Sequence, residues 1–407
     1  MQEFVTAESA DAADAAKVAP VPEHDLLIVG LGPGGCAAAL AARSAGLKTL
    51  AVEARGTQAT RSQLVLVRPG ARAALRQLGL PDITEGRRTS TIRQVENRLR
   101  AELIAAAQVE AQADTRADAQ AGAASGAASA TPAASPGTEI HWHTSVVGLE
   151  VGADQVLATL RDEATGATRR VAARHLIDAS GGRLEPLGRP ARVRAGPGHL
   201  VMTAEYAALP WFEGIVGVRD PATHELYLLF PTWGRRGVIA YFDSPPGPGT
   251  DGAALAQRFA AIAERLALGP PKYPAAAYDV FQRLLARPIR DRVLAIGDSV
   301  GTVDALLGAG MSNAIEDGVE AAQAIAAARR ESSAARELAR LRKASERIHA
   351  RHRSGVRRGR LLLAVRPVLE AAWPSATLPA IARDTPGPPP LLWPAVRFVF
   401  GRRPQAS

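Results

Sequence analysis

Residues 25–53 read DLLIVGLGPGGCAAALAARSAGLKTLAVE. An apolar run ends on glycines, a small and helix-forming stretch follows, and a second apolar run closes on an acid. Strand, glycine turn, helix, strand is the sequence form of a βαβ unit with two parallel strands. Inside it, Gly30-Leu-Gly32-Pro-Gly34-Gly35 fits G-x-G-x-x-G. Gly30 permits a tight turn, Gly32 lets a pyrophosphate approach the backbone, and Gly35 lets helix pack on strand; the amides at the helix N-terminus then face phosphate charge. Glu53 stands about 20 residues further on, where a carboxylate accepts hydrogen bonds from ribose hydroxyls and disfavours a 2′-phosphate. The expected ligand is a dinucleotide ending in plain adenosine, FAD or NAD.

A second glycine turn separates the two. Residues 292–318 read RVLAIGDSVGTVDALLGAGMSNAIEDG: a strand, Gly297-Asp298, a loop, then Gly308-Ala-Gly310 opening a helix. No further strand and acid follow, so this is not a second phosphate-binding βαβ unit. Asp298 is suited to bond a polyol hydroxyl. Amides near Gly310, Met311 and Ser312 can face a carbonyl-bearing ring, where the helix dipole stabilises negative charge.

At 407 residues the chain exceeds what one core serves and suggests two or three domains. Hydrophobic residues at 47% and charged residues at 22% exclude disorder throughout. Residues 1–23 read as a disordered lead-in and 24–190 as the first part of the dinucleotide-binding domain. Within that part a helix is expected over 92–108, and the Ala, Ser, Gly and Pro of 111–137 as a disordered insertion. Alternating segments over 191–290 give an inserted antiparallel sheet; 291–330 returns to the first domain, and 331–407 is helical and basic. The fold class is α/β, a Rossmann-like domain of the glutathione-reductase type with an inserted, mainly antiparallel substrate sheet and C-terminal helices.

These motifs, in this order, resemble the group A FAD-dependent monooxygenases, the aromatic hydroxylases that include para-hydroxybenzoate hydroxylase. The resemblance spans roughly residues 25–318 and rests on the glycine turn with Glu53, on LIDASGGR at 176–183, and on Gly297-Asp298 followed by GAGMSNAIEDG. It implies FAD as cofactor, with Arg61 lying along flavin and diphosphate, Gln94 reaching the ribityl chain, and Asp178 serving FAD and pyridine nucleotide together. It also implies that NAD(P)H reduces FAD, that O2 adds at flavin C4a, and that an oxygen atom passes to a small organic substrate. The chain departs from the family pattern at Gly301, Ala305 and Ser312. An FAD-dependent reductase or dehydrogenase on the same fold, and a non-catalytic flavin-binding protein, are the alternatives.

In the inserted sheet Tyr206, Tyr227, Arg235 and Tyr241 are candidate catalytic residues, since tyrosine can bond a phenol and arginine a carboxylate or flavin oxygen; aromatics alternating in strands also build cores. His141 and His143 lack a third ligand nearby, so no metal is expected. The formal charge of +9 comes almost wholly from arginine and is densest over 336–360, which argues against nucleic acid as a partner. Arginines interleaved with apolar residues near the C-terminus allow peripheral membrane contact, though packing onto the protein's own surface is the favoured use. One cysteine, and a first stretch of twenty residues without an apolar core, suggest a cytoplasmic location.

Overall fold

The computed structural model describes residues 22–58, 64–80, 89–124, 137–184, 191–192, 199–206, 216–219, 226–231, 237–243, 252–265, 269–271, 273–280, 283–302 and 310–372. The first unit runs β1 (His24–Val29), α1 (Pro33–Ser44), β2 (Thr49–Glu53), β3 (Leu64–Leu66), α2 (Pro69–Gln77), β4 (Thr89–Thr91), α3 (Ile92–Ala124), β5 (Thr138–Trp142), β6 (Thr144–Val151), β7 (Val156–Asp162) and β8 (Thr168–Asp178). The middle unit holds β9 (Ala191–Arg192), β10 (His199–Tyr206), β11 (Val216–Arg219), β12 (Leu226–Pro231), β13 (Gly237–Asp243), α4 (Gly252–Arg265), β14 (Tyr273–Val280) and β15 (Arg283–Leu284). The chain then returns through β16 (Ile289–Arg290), β17 (Val293–Ala295), α5 (Gly310–Ala328) and α6 (Ala334–Ala372).

The main sheet has the order β16-β17-β8-β1-β2-β5, in which β17, β8, β1, β2 and β5 run parallel. Strand β8 serves two partnerships. Its first half pairs antiparallel with β7, and from Ala173 onward it pairs parallel with β1. Buried on both faces, these strands read as near-continuous apolar runs, as the DLLIV stretch does. The second sheet is antiparallel throughout, in the order β11-β12-β13-β10-β14. The Rossmann-like domain and the inserted sheet expected from the sequence are both present.

One local expectation changes. Helix α3 continues to Ala124, so residues 111–124 of the expected disordered insertion are helical. Alanine carries the highest helix propensity, and a composition too poor for a core can still propagate a helix already begun. Strands β5 and β6 are separated at His143, whose φ of 53° lies in the left-handed region. His141 instead meets Glu139 and Arg169, and no metal-holding cluster exists among the described residues.

Helices α1 and α5 cross with backbone against backbone. A Cβ at Gly318 would lie 2.2 Å from the Gly34 carbonyl oxygen and 3.0 Å from Ala38 N. Gly318→Ala must force the helices apart, and we expect a loss of about 1–3 kcal/mol, the usual cost of overpacking, read from the denaturant midpoint. Helix α6 is tied to the sheet by Glu337, which is buried and accepts from Arg174 and Arg292. His175 lies 2.8 Å from the same carboxylate, yet burial holds its pKa down at about 4.

Candidate functional site

The parallel sheet delivers the sequence motifs to one edge. Gly30 follows β1, Glu53 ends β2, Asp178 ends β8 and Gly297-Asp298 follows β17, all at the carboxyl ends of adjacent strands. Ligands of open α/β sheets bind along that edge. The turns interlock there: Gly30 N donates to Val52 O, Ala179 N to Val29 O and Ile296 N to Asp178 O. Gly30 has φ 95°, and a Cβ there would sit 2.6 Å from the Ala179 carbonyl oxygen, so only glycine fits.

At the β1–β2 end the structure presents an open cradle. Gly32 is the N-cap of α1, and nothing lies within 4 Å of the place its Cβ would occupy. Pro33 begins the helix, and the first-turn amides of Gly34 and Gly35 have no partner within the helix for want of a preceding turn. Glu53 is buried; one oxygen accepts from Leu31 N at 2.8 Å, the other from Arg55 N and Nε. Burial alone would raise its pKa, but hydrogen bonds from the Arg55 side chain and the Leu31 amide outweigh it and hold the carboxyl below its ordinary range. An ionised acceptor beside a glycine cradle and a helix N-terminus is the donor and acceptor set that an adenosine diphosphate needs.

Arg100 of α3 completes this end, and nothing in the sequence singled it out. Its side chain is 1% exposed. Nε donates to Leu31 O at 3.0 Å and a terminal nitrogen donates to Gly56 O at 2.7 Å. The other terminal nitrogen lies 2.6 Å from Glu96 and 3.6 Å from Glu53, and the guanidinium stands over the Trp142 ring. The i, i+4 spacing of Glu96 and Arg100 beside the apolar stripe of Val95, Leu99 and Leu103 was the available signal.

At the β8–β17 end two turns are stitched together. Asp178 Oδ1 accepts from Ser180 N, Ser180 Oγ and Ser299 Oγ, and Ser299 Oγ in turn accepts from Gly181 N and Gly182 N. Burial raises the Asp178 pKa above its ordinary value. Asp178, expected to touch FAD and pyridine nucleotide, is engaged as a staple between turns. Asp298 is exposed within the short 3₁₀ turn 297–299, whose Gly297 has φ 57°. Gly310, Met311 and Ser312 open α5, and Ser312 Oγ accepts from Arg68 N at 3.0 Å.

Gln94 has a local duty that the sequence analysis did not foresee. Thr91 N donates to its Oε1 while Gln94 N donates to Thr91 Oγ1, which is a capping box at the start of α3. Register separates the sheet candidates from the first unit. Tyr227 and Tyr241 are cross-strand partners, and Tyr206, four residues from Met202 opposite Tyr241, occupies the same face. Glu205 and Thr203 hold the other face, where Arg93 of α3 meets Glu205 at 2.7 Å. Arg61, Arg235 and Gly308 lie outside the described residues, as do residues 1–21, 125–136 and 373–407.

Residues 23–185 match the FAD binding domain family. Over those residues the chain is similar to FAD-binding domains. Among solved structures, the flavin-dependent monooxygenase PieE, crystallised with FAD and substrate, is 18% identical with a TM-score of 0.64, covering 89% of this chain and 68% of that one. The p-nitrophenol 4-monooxygenase PnpA from Pseudomonas putida DLL-E4 is 16% identical with a TM-score of 0.60, covering 88% and 94%. PqsL from Pseudomonas aeruginosa, a probable FAD-dependent monooxygenase, is 18% identical with a TM-score of 0.59, covering 84% and 96%. No curated protein matches the sequence. The matched residues thus lie on a fold similar to that of these monooxygenases, and open space at Gly32, the buried Glu53 carboxylate and the exposed Asp298 lie along one sheet edge. No helix of the described residues is long and apolar enough to cross a membrane.

Proposed function

We propose that this chain is an FAD-dependent monooxygenase that uses NAD(P)H and O2 to place one oxygen atom on a small organic substrate. The balance is one substrate, one O2, one NAD(P)H and a proton giving oxygenated substrate, water and NAD(P)+. Bound FAD would supply hydride acceptance and oxygen activation. The observation that carries the proposal is the placing of an adenosine cradle and of the Gly297-Asp298 turn on one sheet edge, with a separate antiparallel sheet joined to it through Arg93 and Glu205.

The chain's own residues then divide the work. Gly32 and the α1 amides hold the diphosphate, Glu53 the ribose, and Asp298 the ribityl chain. The α5 N-terminus at Gly310, Met311 and Ser312 faces the flavin carbonyls, where amides stabilise charge on the reduced ring. Of the antiparallel sheet, Thr203 and Glu205 stand on the face that meets the FAD-binding domain. They join Tyr206, Tyr227 and Tyr241 as our candidates for the substrate wall.

The test begins with the absorption spectrum of the purified chain after FAD is added. A panel of phenols and other electron-rich compounds then screens for accelerated NAD(P)H consumption, and isotopically labelled O2 shows whether one oxygen atom enters product. Reoxidation without label in product favours the reductase alternative. Asp298→Ala should remain folded and weaken FAD roughly tenfold or more, the worth of a hydrogen bond to a charged group; unchanged affinity removes Asp298 from the site.

A further inference from the structure

Helix α6 reaches the turn that carries Asp298 through His352. Its ring is 1% exposed. Nδ1 lies 2.9 Å from the Gly301 carbonyl oxygen, and Nε2 lies 2.7 Å from Asp317 Oδ2. The same Asp317 oxygen accepts from Gly297 N at 3.1 Å. Asp317 is wholly buried and also meets Arg351. A carbonyl and an ionised carboxylate are acceptors only, so both ring nitrogens must donate and the ring must be an imidazolium.

We infer that His352, as an imidazolium paired with Asp317, is a positioning residue that clamps both ends of the Gly297–Gly301 turn and thereby sets Asp298 for FAD binding. This deepens the proposed function and rests on it. Gly297 is held through Asp317 and Gly301 directly, with Asp298 between them. Loss of the Nδ1 proton would bring two lone pairs face to face at 2.9 Å, and the turn must then release.

The influences on the ring oppose one another, and the anions prevail. Burial opposes protonation, but Asp317 across the helix pair, the Gly301 carbonyl and the nearby Asp298 together raise the His352 pKa above its ordinary 6.5. On its own helix, His349 opposes protonation, while Arg351 is occupied by Asp317, Glu316 and Glu320. For a raised folded-state pKa, the stabilisation is complete below 6.5 and disappears as pH rises through the folded value. FAD affinity should follow the same course.

The test uses the full chain. Nitrogen NMR of labelled histidines, assigned by comparison with His352→Gln, gives the protonation of the His352 ring, and fluorescence gives the FAD dissociation constant across that titration. We expect both ring nitrogens protonated at neutral pH, FAD affinity falling as the ring titrates, and a His352→Gln variant that binds FAD roughly tenfold more weakly with no such pH dependence. A neutral ring at neutral pH, a wild-type affinity flat across the ring's titration, or equal affinity in variant and wild type overturns the clamp and leaves the FAD site standing. Should His352→Gln not fold, Asp317→Asn supplies both the assignment and the affinity comparison, with the same outcomes. A wild-type chain that takes up no FAD at any pH overturns the site and the clamp together.

Discussion

Arg100→Met is expected to destabilise the chain by about 3–5 kcal/mol, the range for breaking a buried ion pair by removing one partner. The substitution nearly conserves volume and removes the charge. What it removes is the only guanidinium that reaches the Leu31 and Gly56 carbonyls while facing Glu96 among the described residues. Glu96 is buried, and a second cation, Arg55, stands 3.7 Å away and is already committed to Glu53. A carboxylate left in that position must either stay charged at high cost or take up a proton. The measurement is the urea midpoint of Arg100→Met against wild type and against Glu96→Gln/Arg100→Met. The double variant should recover part of the loss, because the stranded charge is gone. A single-variant loss below about 1 kcal/mol, the range of a solvated surface pair, would show that the cluster is not desolvated. FAD affinity should fall with stability, since Arg100 holds Leu31 of the glycine turn and Leu31 holds Glu53.

That Arg100 escaped notice while Gly30 and Glu53 did not follows from how each requirement is written in the chain. A glycine turn is largely local: Gly30 needs a positive φ, Gly35 meets the Gly30 carbonyl and Gly32 faces open space, so residue type and spacing express the turn even where, as at Gly30, a distant carbonyl also demands it. Glu53 is legible for the same reason, as the acid at the end of the next strand. Arg100 and Glu96 look like any solvated pair on a helix until the fold brings Leu31 and Gly56 over them. Asp317 and His352 lie 35 positions apart on two helices, and Glu337 meets Arg174 from 163 positions away. Such contacts depend on which helix faces sit together, and periodicity gives the faces without the pairing. The sheet shows the limit from the other side. Its strands were found from alternation, but that Arg93 of α3 meets Glu205 of β10 is set by the packing of two distant segments, which alternation does not express. Residues 111–124 show a third case, in which one alanine-rich composition satisfies both a disordered loop and a helix.

Gly32→Ala and Gly35→Ala should part company in stability and agree in the loss of FAD. At Gly35 an added Cβ would lie 1.8 Å from the Gly30 carbonyl oxygen and 3.3 Å from the Ala179 Cβ. Backbone cannot rotate away as a side chain can, so the turn opens, and we expect a stability loss at or above about 3 kcal/mol, the upper end for overpacking. At Gly32 the backbone is extended, with φ −70° and ψ −176°, and an added methyl meets nothing. The variant should be as stable as wild type or gain up to about 1 kcal/mol, because alanine narrows the unfolded ensemble. Yet the methyl would project into the space through which a diphosphate must reach the α1 amides. Losing one or two charge-assisted hydrogen bonds there weakens FAD roughly 100-fold. Thermal unfolding of the two apo variants, followed by FAD titration of each, separates the roles: glycine at position 35 is demanded by the protein, and glycine at 32 by the ligand. Full FAD affinity in Gly32→Ala would mean that the diphosphate does not lie against this turn.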